Sequence, residues 1–210
     1  MPTGRDTSLD FKCLAHDLNN VFATINEAAE VLASDPRWAA ISAALHRSVD
    51  RGKRLVDGFC EPAGGATELN LLLDSAIDAT RDYLELVHGP RVEFRRDVDS
   101  GVLLHGIPAS WERVFVNLFL NAAEVMPSGG LVEIVATREP GRVSIRVRDD
   151  GPGIAPELLS RIFDRDVSSK GQRRGLGLHI VRTIVERNGG EVTAARAQAG
   201  GAEFFMALPA

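Results

Sequence analysis

Between residues 9 and 34 the apolar positions recur with a helical period. Turning about 100° per residue from Leu14, the side chains of Phe11, Leu18, Val21, Phe22, Ile25, Ala29 and Leu32 fall on one stripe, and His16 points to the opposite, solvent side. Ser34, Asp35 and Pro36 break the pattern, with Asp35 placed as an N-cap and Pro36 at the first position of the next helix. That helix carries a second stripe, Trp38, Ile41, Leu45, Ser48, Gly52, Leu55, Val56 and Phe59, and the run EPAGGA at 61–66 ends it. The pattern predicts a helical hairpin. Stripes this wide exceed what two helices cover, so a dimer closing an antiparallel four-helix bundle is expected, the alternative being a hairpin packed on its own C-terminal domain.

From Thr67 the periodicity becomes mixed. It predicts helices over 70–87, 108–126, a short stretch after Pro156, and 177–187. Strands are expected near 92–95, 102–105, 131–137, 142–149, 191–195 and 202–208, with a turn at Glu139, Pro140 and Gly141 and a polar loop over 167–174. No internal repeat is present. Antiparallel neighbours with helices between them read as an α/β sandwich with its helices on one face, which makes the whole chain α+β. The expected divisions are a flexible N-terminus at 1–8, the hairpin at 9–62, a linker at 63–67 and a second domain at 68–210.

Composition narrows the partners. At 210 residues the chain suits one large domain or two small ones. A net charge of −5 without a basic run argues against nucleic acid or an anionic membrane surface as the main partner. No segment has the apolar length of a membrane span and MPTGRDTSLD holds no signal-peptide core, so a cytoplasmic protein is expected. Cys13 and Cys60 are too few and too far apart for a zinc site or a disulfide framework. They read as small buried hydrophobes, with a redox role as the alternative because a hairpin brings them near the same end.

The candidate chemistry lies in five places. A helical histidine is usually an idle surface residue, but His16 has Asp17 beside it and Asn20 one turn on along the same exposed face. In VSIRVRDDGPGI, Val143, Ile145, Val147 and Asp149 share strand parity, which puts a carboxylate on an apolar face. Such a carboxylate needs a donor, either a backbone turn or a ligand amine such as that of adenine. Gly151 and Gly153 let the backbone pass close to a flat ring. Asn117 and Asn121, spaced i, i+4 in the strongly apolar VFVNLFLNAAEVM, project to the same side as a polar site. Gly175, Leu176, Gly177 and Leu178 open a helix, where free amides and a positive dipole end suit phosphates, although glycines there also serve as plain turns.

Together these segments resemble the two-component sensor histidine kinases over nearly the whole chain after residue 8. LAHDLNN is similar to the phosphoacceptor H-box, NLFLNAAEVMP to the N-box, DDGPGI to the G1 box, RIFD to the F-box, and GLGLHIVRTIVERNGG with GAEFFMALP to the G2 box and C-terminal strand. The resemblance implies a dimerisation and histidine-phosphotransfer hairpin followed by a Bergerat-type ATP-binding domain. His16 is then the nucleophile, Asp17 the group that holds one ring nitrogen as the NH tautomer and acts as base, and Asn20 the amide of a phosphatase motif. Asn121 is implied as the Mg²⁺ ligand, with Asn117 helping to hold the ion and the phosphates. Asp149 selects adenine, while Gly151, Gly153, Lys170 of the polar loop, Gly175, Leu176, Gly177 and Leu178 shape the ATP pocket. The implied cofactors are ATP and Mg²⁺. The implied partners are a response-regulator receiver domain, a second copy of the chain and a separate sensor protein.

Hydrolytic members of the wider superfamily carry Glu where Asn117 stands, so this residue favours transfer over hydrolysis. Two departures stand out: Arg173 and Arg174 replace the usual Gly and Thr ahead of GLGL, and Asp166 and Val167 replace a common phenylalanine pair. The resulting expectation is a soluble protein-histidine kinase that autophosphorylates His16 and passes the phosphoryl group to an aspartate of a response regulator, with phosphatase activity as a further implication. A relay phosphotransferase with a degenerate ATP-binding domain is the second expectation. An ATPase without a histidine intermediate is the third, and the HDLNN hairpin argues against it.

Overall fold

The structure, a computed structural model, describes residues 7–60, 65–164, 177–197 and 200–210, with backbone alone for 7–16, 51, 54, 55 and 57–60. The chain divides into two compact units, Met1–Ala63 and Gly64–Ala210. Among the described residues no helix is long and apolar enough to cross a membrane.

The first unit is a helical hairpin. Helix α1 (Thr7–Ala33) is followed by a 3₁₀ turn (Pro36–Trp38) and helix α2 (Ala39–Cys60). Asp35 caps the turn: its Oδ1 accepts the Arg37 backbone N–H at 3.0 Å, and Pro36 occupies the first turn, where no N–H is needed. The seam between the helices is built from small and polar groups. Ser42 Oγ donates to the Ala29 carbonyl at 2.7 Å, and His46 Nδ1 meets Asn26 Oδ1 at 2.9 Å, a contact that requires the proton on Nδ1 because a carboxamide oxygen only accepts. Ser42, Val49 and Val56 are buried at seven-residue spacing along α2. Leu18, Val21, Val31, Trp38 and Ile41 stay exposed, so one hairpin covers only part of its apolar stripes.

The second unit opens with β1 (Ala66–Glu68) and α3 (Leu69–Leu86), then β2 (Val92–Val98), β3 (Leu103–His105) and α4 (Pro108–Val125). It continues through β4 (Gly130–Glu139), β5 (Arg142–Asp149), α5 (Pro156–Leu159), α6 (Gly177–Arg187), β6 (Glu191–Arg196) and β7 (Ala202–Pro209). Five strands form a sheet in the order β2-β4-β5-β7-β6, parallel between β2 and β4 and antiparallel elsewhere. β1 and β3 pair separately.

Alternation along the strands sorts the two faces. Val132, Ile134 and Ala136 of β4, Val143, Ile145 and Val147 of β5, and Phe204, Met206 and Leu208 of β7 share one core with Trp111, Phe115 and Phe119 of α4, Leu69 and Leu73 of α3, and Val181 and Val185 of α6. The other face is charged. Glu133 pairs with Arg95 at 2.7 Å and Arg148 at 3.9 Å, and Arg146 with Glu203 at 3.5 Å. Exposed pairs of this kind contribute about 0–1 kcal/mol each, so the core, not the ladder of charges, holds the sheet. The resulting unit is α+β, two-layered, with its helices against one sheet face.

Two strands depart from the expected pattern. β1 has no apolar alternation to announce it, because both of its ends are exposed and its partner is another three-residue strand. β2 runs three residues past its expected end, through Arg96 and Asp97 to Val98. It is an edge strand, where charged side chains are tolerated and mask the period.

Candidate active site

Strand β5 ends on Asp149, which is 5% exposed on the apolar face of the sheet. Its Oδ1 accepts two backbone N–H groups, from Gly151 at 3.0 Å and from Ala202, at the start of β7, at 3.1 Å. No described residue donates to Oδ2. Burial pushes the carboxyl above the usual carboxylate range and Asp150 adds to the rise, while the Ala202 and Gly151 amides and Arg148 pull it back. The site thus holds one buried carboxylate with one oxygen anchored and the other available to a ligand donor.

The flanking glycines are enforced by neighbouring protein atoms. A Cβ on Gly151 would lie 2.9 Å from Asp149 Oδ1, 3.1 Å from Val125 Cγ2 and 3.3 Å from Met126 Cγ. Gly153 has φ +81°, and a Cβ there would lie 2.8 Å from the Gly201 carbonyl oxygen. Both positions therefore require bare backbone to close the loop after β5 over α4 and β7.

Helix α4 carries the amides. Asn117 Nδ2 donates back to the Arg113 carbonyl at 2.7 Å, and its Oδ1 lies 2.9 Å from the Cβ position of Gly177, the first residue of α6. Asn117 and the start of α6 are therefore in contact. One turn on, the Nδ2 of Asn121 is buried with no hydrogen-bond partner. An orphan buried amide costs about 1–3 kcal/mol, and a phosphate oxygen or a metal-bound anion beside it offsets that cost. Asp149, Gly151, Gly153, Asn117, Asn121, Gly177 and Leu178 thus all lie in the second unit, the first three around the end of β5 and the rest on α4 and at the start of α6. Asp149 Oδ2 can accept from a ligand amine, and Asn121 Nδ2 can donate to an anion.

Asp17 and Asn20 lie on the exposed part of α1 in the first unit, and His16 belongs to the same helix by its backbone. The side chains of His16, Cys13 and Cys60, and residues Asp166, Val167, Lys170, Arg173, Arg174, Gly175 and Leu176, lie outside the described residues.

Sequence reasoning missed the second anchor of Asp149. Ala202 follows the glycine pair Gly200–Gly201 and opens an alternating strand, and nothing local ties it to a residue that far upstream. It also missed His179, whose Nδ1 lies 3.3 Å from the Phe163 carbonyl and joins α6 to the segment after α5.

Residues 106–210 match the family described as histidine kinase-, DNA gyrase B-, and HSP90-like ATPase. The chain is 28% identical to the sensor histidine kinase ZraS of Escherichia coli O157:H7 over 93% of its own length and 44% of that protein. It is 32% identical to the sensor protein QseC of Salmonella typhi, over 90% of its length and 44% of that protein. It spans less than half the length of these relatives. Among solved structures, the mycobacterial sensor histidine kinase MprB superposes with a TM-score of 0.60 at 27% identity, covering 70% of this chain and 97% of that one.

Proposed function

The chain belongs to the two-component sensor histidine kinases, and on that premise we propose that it binds ATP with Mg²⁺ in its second unit, phosphorylates His16 and passes the phosphoryl group to an aspartate of a receiver domain. The observation that carries this reading is the Asp149 carboxylate, buried, anchored through Oδ1 and open at Oδ2, which suits the exocyclic amine of adenine.

The residues divide the work. Asn121, with an unpartnered buried amide, and Asn117, against the first residue of α6, hold the Mg²⁺-bound phosphates. The bound metal–nucleotide supplies the γ-phosphoryl group and neutralises its charge. A ring nitrogen of His16 forms a bond to the γ-phosphorus as the bond from that phosphorus to the bridging oxygen breaks, and ADP leaves. Asp17 holds the opposite ring nitrogen and takes its proton. The phosphoryl group then moves to the receiver carboxylate as an acyl phosphate, returning His16 to its starting state. Asn20, exposed one turn from His16, positions a water against that acyl phosphate for its removal.

The apolar residues left exposed on the hairpin, Leu18, Val21, Trp38 and Ile41 among them, support a second copy of the chain completing a four-helix bundle. Incubation with γ-labelled ATP and Mg²⁺ tests the reading. Acid-labile label is expected, lost in His16→Ala with nucleotide binding kept, and lost in Asp149→Ala together with nucleotide binding. Asn20→Ala should keep the label yet slow dephosphorylation of the regulator. Persistent label in His16→Ala would overturn the acceptor.

A further inference from the structure

Two left-handed glycines precede β7, and they stand in different surroundings. Gly200 (φ +95°) has open space where a Cβ would sit, whereas a Cβ on Gly201 (φ +86°) would collide with the Asp149 carbonyl oxygen and lie 3.2 Å from Asp149 Oδ1. Gly201 also accepts the Ala197 N–H through its carbonyl at 3.0 Å, and that same oxygen is the atom closest to the Cβ position of Gly153. The peptide from Gly201 to Ala202 carries the N–H that reaches Asp149 Oδ1. One residue thus touches the end of β5, the exit of β6 and the loop of Gly153.

We propose that Gly201 is a positioning residue for base selection: its bare backbone against Asp149 delivers the Ala202 N–H to Oδ1, sets the rotation of the carboxylate and so points Oδ2 at a purine carrying a 6-amino group. This deepens the nucleotide reading above and rests on it. The terminal torsion of an aspartate is broad and two-fold, so a carboxylate with a single local hydrogen bond does not hold one oxygen in one place. The Gly151 bond is local, two residues along the chain, and turns with Asp149 itself. The Ala202 bond comes from 53 residues away, across the sheet, and fixes the carboxylate relative to the rest of the site. An ionised oxygen held this way accepts from a 6-amino purine and opposes a 6-oxo purine, whose own oxygen is an acceptor.

The test uses the full chain and compares dissociation constants for ATP and for inosine triphosphate, which carries oxygen in place of the 6-amino group, at fixed Mg²⁺. The wild type should prefer ATP. Gly201→Ala should narrow that preference by roughly tenfold, by weakening ATP while leaving the inosine nucleotide little changed. Equal weakening of both nucleotides, or an unchanged ratio, overturns the role of Gly201 and leaves the nucleotide reading standing. A wild type that binds neither nucleotide overturns the nucleotide reading and this inference with it. Because Gly201→Ala risks misfolding, NMR on the labelled wild type provides a second readout. The Ala202 amide proton should shift with the titration of the Asp149 carboxyl carbon, and an amide that stays still while the carboxyl titrates overturns the proposal.

Discussion

The two oxygens of Asp149 stand in different conditions, and Asp149→Asn exploits the difference. With the amide oxygen kept on the Gly151 and Ala202 N–H groups, the new Nδ2 replaces Oδ2, so an acceptor becomes a donor. ATP should weaken by roughly tenfold or more and inosine triphosphate should gain, so the preference inverts. Calorimetric titration of both nucleotides checks this, and a variant that still prefers ATP refutes it. The same carboxyl shapes stability. Burial raises its pKa in the native state above the unfolded value of 3.8, so the native state holds the proton more tightly. The stability this group contributes is full below that value and is lost as pH rises through the higher native value. Asp149→Asn should remove that decline. Urea midpoints at stepped pH, from below the unfolded value of 3.8 upward, measure it, and identical profiles for the two proteins would sink the argument. Strand parity was enough to place Asp149 on the apolar face, because it depends on its own neighbours alone. The role of Gly201 was not legible, since it depends on a backbone angle and on an atom brought from β5.

Helix α2 packs against α1 at Gly52, where a Cβ would lie 2.5 Å from Phe22 Cζ and 2.6 Å from Cε1. Alanine gains about 1 kcal/mol over glycine in a helix, but overpacking a seam costs about 1–3 kcal/mol, and here the added methyl meets several atoms of one ring. Gly52→Ala should therefore lower stability by about 1 kcal/mol, and adding Phe22→Leu should restore it by shortening the side chain in the way. Thermal melts of the single and double variants decide this, and a Gly52→Ala protein more stable than wild type would mean the ring swings aside freely. The hairpin was legible from two 3.6-period stripes and a break at Asp35 and Pro36. So were β4, β5 and β7, in which fully buried residues recur at every second position. β1 was not, because a three-residue strand has no room for a period and is defined by its partner, β3.

For the molecule as a whole, the uncovered hairpin face bears on assembly. Val21 is 53% and Ile41 38% exposed in a single copy. If a second copy covers them, glutamate at either position places an unpaired charge in an apolar seam at a cost of at least about 2 kcal/mol, enough to raise the dimer dissociation constant more than roughly tenfold. Sedimentation equilibrium should show a dimer for the wild type and dissociation for Val21→Glu with Ile41→Glu, while nucleotide affinity in the second unit stays the same. A monomeric wild type would refute the bundle.

The sheet order carries a consequence in time. β7 is translated after β5 and β6 yet lies between them, pairing Val143↔Leu208 on one side and Val192↔Met206 on the other. A nascent chain that has released β4, β5 and β6 from the ribosome therefore exposes β5 as an open edge and leaves β6 with no strand to join. Until residue 202 is in place, Asp149 can receive the local Gly151 N–H but not the Ala202 N–H. Closure of the sheet by β7 and the second anchor of Asp149 therefore depend on the same last segment, and a chain cut short before residue 202 has neither.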